Sequence, residues 1–179
     1  IKKEYETSVM YDAMHAFYDR SYVALPGFAQ YFRKASDEER EHARSLMSYL
    51  NRRGGRVTLT REPCDPFFEI PPVSNQDVVT CALHGMEIAL ELETLNYDSL
   101  TRLHFVADEE GDVSLADFVG EHLLRDQVLA LYEQRKMTMQ LRRLVLAQKN
   151  NEDGEKTTFT NDFSGALGLY AFDRDLSNA

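Results

Sequence analysis

Along residues 32–49 the positions Phe32, Ala35, Glu39, His42, Leu46 and Tyr49 follow one another in steps of three and four. That rhythm marks one stripe of a helix turned toward a bundle interior, so a carboxylate and an imidazole interrupt an apolar seam. The same rhythm runs through Leu83, Met86, Leu90, Glu93, Tyr97, Leu100 and His104, where an acid again takes a core position. Glu87 and Glu91 step off this line onto the solvated face. Further on, Leu124, Gln127 and Leu131 share a face, with an amide where an apolar side chain is expected. At the start, Tyr5, Val9, Met10, Met14, Phe17 and Tyr18 are interleaved with polar residues, and Glu4, Tyr11 and Tyr18 recur every seven positions along one side. The pattern predicts helices over 1–19, 26–53, 75–106 and 115–148, with a short one over 163–174 that carries Leu167, Leu169, Tyr170 and Phe172.

The punctuation between these runs agrees. Pro26 suits the first turn of the second helix, and the short link before it favours an antiparallel neighbour. Asn51, Arg52 and Arg53 followed by Gly54-Gly55 make a basic last turn and a glycine stop. Ser74 with Asp77, and Ser114 with Asp117, have the spacing of a capping box and are expected to open the third and fourth helices. Residues 54–73 hold four of the five prolines and no helical period. A connection of that length crosses the height of a bundle and lets the third helix run parallel to the second. Residues 149–161 are polar and turn-rich, which predicts a solvated, mobile loop. The expected fold class is all-α: a single domain over 1–179, a four-helix bundle with a long crossover between the second and third helices and a short fifth C-terminal helix.

Composition narrows the functional classes. A net charge of −10 argues against nucleic acid or an anionic membrane surface as partner and is compatible with cations. No apolar run approaches a membrane span, and the first residues lack a signal-peptide profile. Cys64 and Cys81 are too few and too casually spaced for a disulfide framework or a zinc site, which points to a reducing compartment, the cytoplasm by default. Because the chain opens straight into a helix, a leading segment, and with it an organellar or secreted destination, stays open.

Each predicted long helix thus contributes polar groups to the seam: Glu4, then Glu39 with His42, then Glu93, then Gln127. Buried acids are costly unless paired or metal-bound, and Glu-x-x-His on an inward stripe is a known way for bundles to hold iron or manganese. Hard carboxylate oxygens with one imidazole and no thiolate suit iron better than zinc or copper. Glu39 is the natural bridge between two ions, since it has a ligand partner on its own helix. Two ferrous ions a few ångströms apart can each give an electron to dioxygen, so the chemistry expected is oxidation of Fe(II). Tyr11 either hydrogen-bonds a bound oxygen species, supplies an electron, or simply packs.

The runs F-Y-D-R-S-Y-V-A-L-P-G-F-A-Q-Y-F, S-D-E-E-R-E-H-A-R-S-L-M, N-R-R-G-G-R-V, A-L-E-L-E, D-F-V-G-E-H-L-L-R-D-Q-V and L-Y-A-F-D-R together resemble eukaryotic heavy-chain ferritins over nearly the whole chain. The resemblance implies a ferritin-like bundle whose ferroxidase centre, holding two irons per subunit, falls on Glu4, Glu39, His42, Glu93 and Gln127, with Tyr11 beside it. It further implies a hollow homo-oligomeric cage of 24 subunits that takes in Fe(II), oxidises it with dioxygen and stores the ferric mineral, the fifth helix lining the four-fold axes. Asp117 matches the first channel acid near the three-fold axes; Gly120 stands where the second is expected, with Glu121 adjacent. Glu38 and Glu41 match the acids that guide iron to the mineral, while Arg44 stands where a further acid is common. Both loops, 54–73 and 149–161, look longer than the family's. The rival readings are a structural cage subunit without ferroxidase activity, disfavoured by the retained ligand set, and a di-iron oxidase that does not store iron. The absence of a second Glu-x-x-His disfavours the symmetric di-iron proteins.

Overall fold

The computed structural model describes residues 1–59, 78–152 and 161–178, and every regular element among the described residues is helical. The helices are α1 (Lys2–Tyr18), α2 (Pro26–Arg52), α3 (Val78–Glu109), α4 (Val113–Val119) leading through a π-helical segment (Gly120–Leu124) into α5 (Arg125–Glu152), and α6 (Asn161–Ser177). Two compact units are formed, one of Ile1–Gly85 with Gln140–Ala179 and one of Met86–Met139. Most of the predicted crossing segment, the proposed Ser74–Asp77 cap and residues 153–160 of the predicted loop lie outside the described residues.

In the first unit α1 and α2 lie antiparallel, because contacts pair descending numbers on α1 with ascending ones on α2: Tyr18 with Phe28, Tyr11 with Phe32, and Ser8 with Ser36. Phe28, Phe32 and Tyr18 are almost wholly buried. Their rings sit 5.1–5.4 Å apart around Tyr18, within the range where aromatic pairs add to area burial. The Tyr18 phenol donates to the Cys81 carbonyl at 2.9 Å, and burial pushes its ionisation well above the usual tyrosine range. Gly85 makes room for it, since a Cβ there would stand 1.8 Å from the Tyr18 oxygen. Tyr18→Phe should therefore cost about 1 kcal/mol. Thermal denaturation should show the midpoint falling by roughly 2–4 °C; an unchanged midpoint would mean the bond contributes nothing.

The ends follow sequence chemistry where glycine sets them. Gly54 (φ +76°) stops α2, with Gly54 N–H reaching Asn51 O and Gly55 N–H reaching Leu50 O, both at 3.0 Å. Gly111 (φ +69°) stops α3. The cap expected at Ser114 is instead Asp112, whose carboxylate accepts Leu115 N–H at 3.1 Å, so the helix opens at Val113. An aspartate accepts this bond as readily as a serine, and it lies directly after the glycine turn. Residues 149–152, expected in a loop, continue α5, and α6 runs from 161 to 177 instead of 163 to 174.

The expected single fourth helix is interrupted. Val119, Leu123, Gln127 and Leu131 are buried in three successive steps of four, a spacing that drifts around a regular α-helix. The π-helical turn at Gly120–Leu124 takes up the extra residue and returns Gln127 to the buried face. Leu123, not Leu124, is the buried leucine of that turn.

Candidate metal centre

Glu4 lies in the first turn of α1, and Glu39 and His42 lie one turn apart on α2. Each offers a ligand atom, and these atoms all fall within 4.8 Å of one another. Glu4 is 2% and Glu39 3% exposed, while His42 is half-buried. The separation of His42 Nδ1 from Glu39 Oε2 is 3.6 Å, outside hydrogen-bond reach, and that nitrogen has no hydrogen-bond partner. Two buried carboxylates beside an imidazole nitrogen without a hydrogen-bond partner make a donor set suited to a hard or borderline divalent cation. The helix pairing sets this up: the antiparallel register of α1 on α2 brings position 4 opposite positions 39 and 42.

In the second unit Glu93 on α3 and Gln127 on α5 meet. The Gln127 Nε2 amide donates to the Glu93 carboxylate Oε2 and, at 3.3 Å, to the Glu93 carbonyl. Both are buried, at 8% and 2% exposure. The sequence offered Glu93 no partner on its own helix; the partner comes from α5. The amide orients the Glu93 carboxylate through its Oε2 oxygen.

Tyr11 is 1% exposed and stacked on Phe32 at 5.8 Å between ring centroids. Asp117 and Glu121 are exposed, on α4 and the π-helical turn; Glu38, Glu41 and Arg44 are exposed on α2. None of these five belongs to the Glu4–Glu39–His42 group or to the Glu93–Gln127 pair. Sequence reasoning passed over several buried polar groups. Ser36 donates to the Ser8 carbonyl at 2.9 Å, and Gln134 and Thr138 both bond the Met86 carbonyl, at 2.9 and 3.3 Å. Gln134 follows Gln127 by one heptad, as Met86 precedes Glu93, and that repeat was the available signal. Thr7, 1% exposed between Glu4 and Tyr11, was also missed.

A family model described as the ferritin-like domain matches residues 1–144. The chain belongs to the ferritin family. It is 45% identical over 144 residues to the chloroplastic ferritin-2 of Vigna unguiculata, a match covering 80% of this chain and 56% of that protein. It is equally identical over 144 residues to the chloroplastic ferritin-4 of Arabidopsis thaliana, covering 54% of it. This ferritin thus spans a little over half the length of these curated relatives. Among solved structures it resembles ferritin from the multicellular green alga Ulva pertusa, with a TM-score of 0.78 and 38% identity over 99% of this chain and 78% of that one. The fold is therefore the ferritin four-helix bundle with an added C-terminal helix, here α6. No described helix is long and apolar enough to cross a membrane.

Proposed function

We propose that this ferritin stores iron as one ferritin-like domain of heavy-chain type, oxidising Fe(II) with dioxygen at a di-iron centre and holding the ferric product inside a cage of 24 copies. The observation that carries the reading is the buried Glu4–Glu39–His42 cluster in a chain of this family. Fe(II) is the substrate. Glu4, Glu39 and His42 would hold Fe(II) in the first unit, and Glu93, oriented by Gln127, would hold Fe(II) in the second. Each of two ferrous ions gives up one electron and dioxygen takes both. The carboxylates favour the ferric state, because their charge stabilises the more highly charged ion. Tyr11, stacked on Phe32, lies two helical turns from Glu4 along the same side of α1 and serves the same centre.

Asp117 and Glu121 attract Fe(II) at the entry channel, and Glu38 and Glu41 lead the product to the mineral. The relatives named as chloroplastic favour a plastid over the cytoplasm as the working compartment.

The test is anaerobic loading of two Fe(II) per chain, then stopped-flow mixing with dioxygen, beside a size-exclusion mass. A fast absorbance rise in an assembly of about 24 chains supports the reading. Slow oxidation in an intact assembly would make this a structural subunit, and fast oxidation without assembly a non-storing oxidase.

Entry is tested separately. Asp117→Ala combined with Glu121→Ala should slow iron uptake several-fold at low salt, the more so because electrostatic steering acts on the encounter rate. Gly120→Glu should speed it, since a Cβ at Gly120 meets only the His104 ring at 3.6–3.7 Å. Unchanged uptake in both variants would place entry elsewhere.

A further inference from the structure

The Thr7 hydroxyl is the polar group on the ligand-bearing face of α1 that the reading above leaves without a role. Thr7 is 1% exposed, and its Oγ1 has no hydrogen-bond partner. Several other helical hydroxyls among the described residues are satisfied. Thr94, Ser99 and Thr138 each donate to the carbonyl four residues back, at 2.7–2.8 Å, and the Ser8 and Ser36 hydroxyls pair at 3.0 Å. A helical threonine has a rotamer that bonds the carbonyl one turn back. Thr7 makes no such bond, although its hydroxyl oxygen is buried.

The ligand-bearing face of α1 carries Glu4 one turn before Thr7 and Tyr11 one turn after it, and residues so spaced are neighbours about 5–6 Å apart at Cβ. A second buried polar atom without a hydrogen-bond partner, His42 Nδ1, belongs to the same cluster as Glu4. A valine has the shape of threonine and no polar atom to bury, so apolar packing alone gives no reason for the hydroxyl. Two unpartnered polar atoms, one in the donor set and one a helical turn from it, point to the same ligand.

We propose that Thr7 is a positioning residue of the iron centre, its hydroxyl holding a water molecule in the coordination shell of the ion bound by Glu4, Glu39 and His42. The proposal rests on the ferroxidase reading of that cluster. By fixing the water, Thr7 strengthens binding of a hydrated divalent cation and leaves the protein ligands unchanged.

Co(II), which is not oxidised by air under these conditions, serves as the probe in calorimetric titration of the assembled, metal-free protein. Thr7→Val should weaken the Glu39-dependent Co(II) site by roughly tenfold, the equivalent of one lost hydrogen bond. Thr7→Ser should bind within about twofold of the native chain, because the hydroxyl is restored. The metal-free thermal midpoint of Thr7→Val should be equal to or above the native one, since a buried hydroxyl without a partner has been removed. Native-like Co(II) affinity in Thr7→Val overturns the proposal. So does weakened binding shared by Thr7→Ser and accompanied by a lowered midpoint, which would mark a packing role. If the native chain binds no Co(II) that depends on Glu39, the reading of the cluster itself falls, an outcome distinct from the other two.

Discussion

Glu39→Ala should abolish the fast phase of Fe(II) oxidation, slowing the initial rate by a hundredfold or more, while leaving the fold intact. The expectation joins two opposite energetic consequences. As a ligand, Glu39 sits within 4.8 Å of the donor atoms of Glu4 and His42, and removing even an outer partner of a metal site commonly costs about 10–100-fold. As a core residue, it is a carboxylate at 3% exposure, and burying it in the metal-free chain is unfavourable. Alanine also has the higher helix propensity, by a few tenths of a kcal/mol. The metal-free thermal midpoint should therefore stay level or rise while activity disappears. Stopped-flow absorbance at two Fe(II) per chain reads the first effect and calorimetry the second. A surviving fast phase would remove Glu39 from the site. Lost activity together with a fall in midpoint would show that the carboxylate held the helices and not the iron.

The stripes that predicted the helices also predicted the buried acids, for one physical reason. A polar residue in a three-four repeat must face inward whatever it does there, so Glu39 and Glu93 were placed by geometry before any chemistry was assigned to them. Glu4 and Tyr11 were legible by the same heptad along α1, and both prove buried. The partners were not legible, because periodicity along one helix says nothing of what stands across from it. The Gln127–Glu93 hydrogen bond depends on the π-helical turn at Gly120–Leu124, which shifts the register of α5 by a residue. A run of steps of four was its only trace in the sequence. Thr7 was invisible for a different reason: one hydroxyl between Glu6 and Ser8 does not stand out from a polar run, and only the lack of a partner makes it conspicuous. The Asp112 cap was missed because serine and aspartate compete for the same role within two positions.

Gly27→Ala should loosen α6 from α2 and cost roughly 3 kcal/mol of local stability, the upper end of ordinary overpacking. The N-terminus of α2 has Pro26 in its first turn and no side-chain cap of its own. Asp173 of α6 supplies the cap: buried at 6% exposure, it accepts Phe28 N–H at 3.0 Å and a second backbone hydrogen bond from Gly27. The approach is close enough that a Cβ on Gly27 would stand 1.8 Å from the Asp173 carbonyl oxygen and 2.6 Å from its carbon. Those are backbone atoms, which cannot turn aside as a side-chain tip can, so α6 must move and both bonds are lost with it. Amide hydrogen exchange should then accelerate across α6 and the first turn of α2 while α1 keeps its protection. The same cap gives α6 a pH dependence of defined sign. Burial raises the Asp173 carboxyl above its ordinary 3.8, outweighing the two N–H donors that favour the ionised form. A raised value means that its contribution to stability is full below the ordinary carboxyl range and is lost as pH rises through the folded-state value. Asp173→Asn keeps an acceptor oxygen without the charge, so α6 should stay docked and that slope should vanish. Exchange across α6 in Gly27→Ala at the native rate would show that this contact does not hold the helix. A pH slope unchanged by Asp173→Asn would assign the titration to another group.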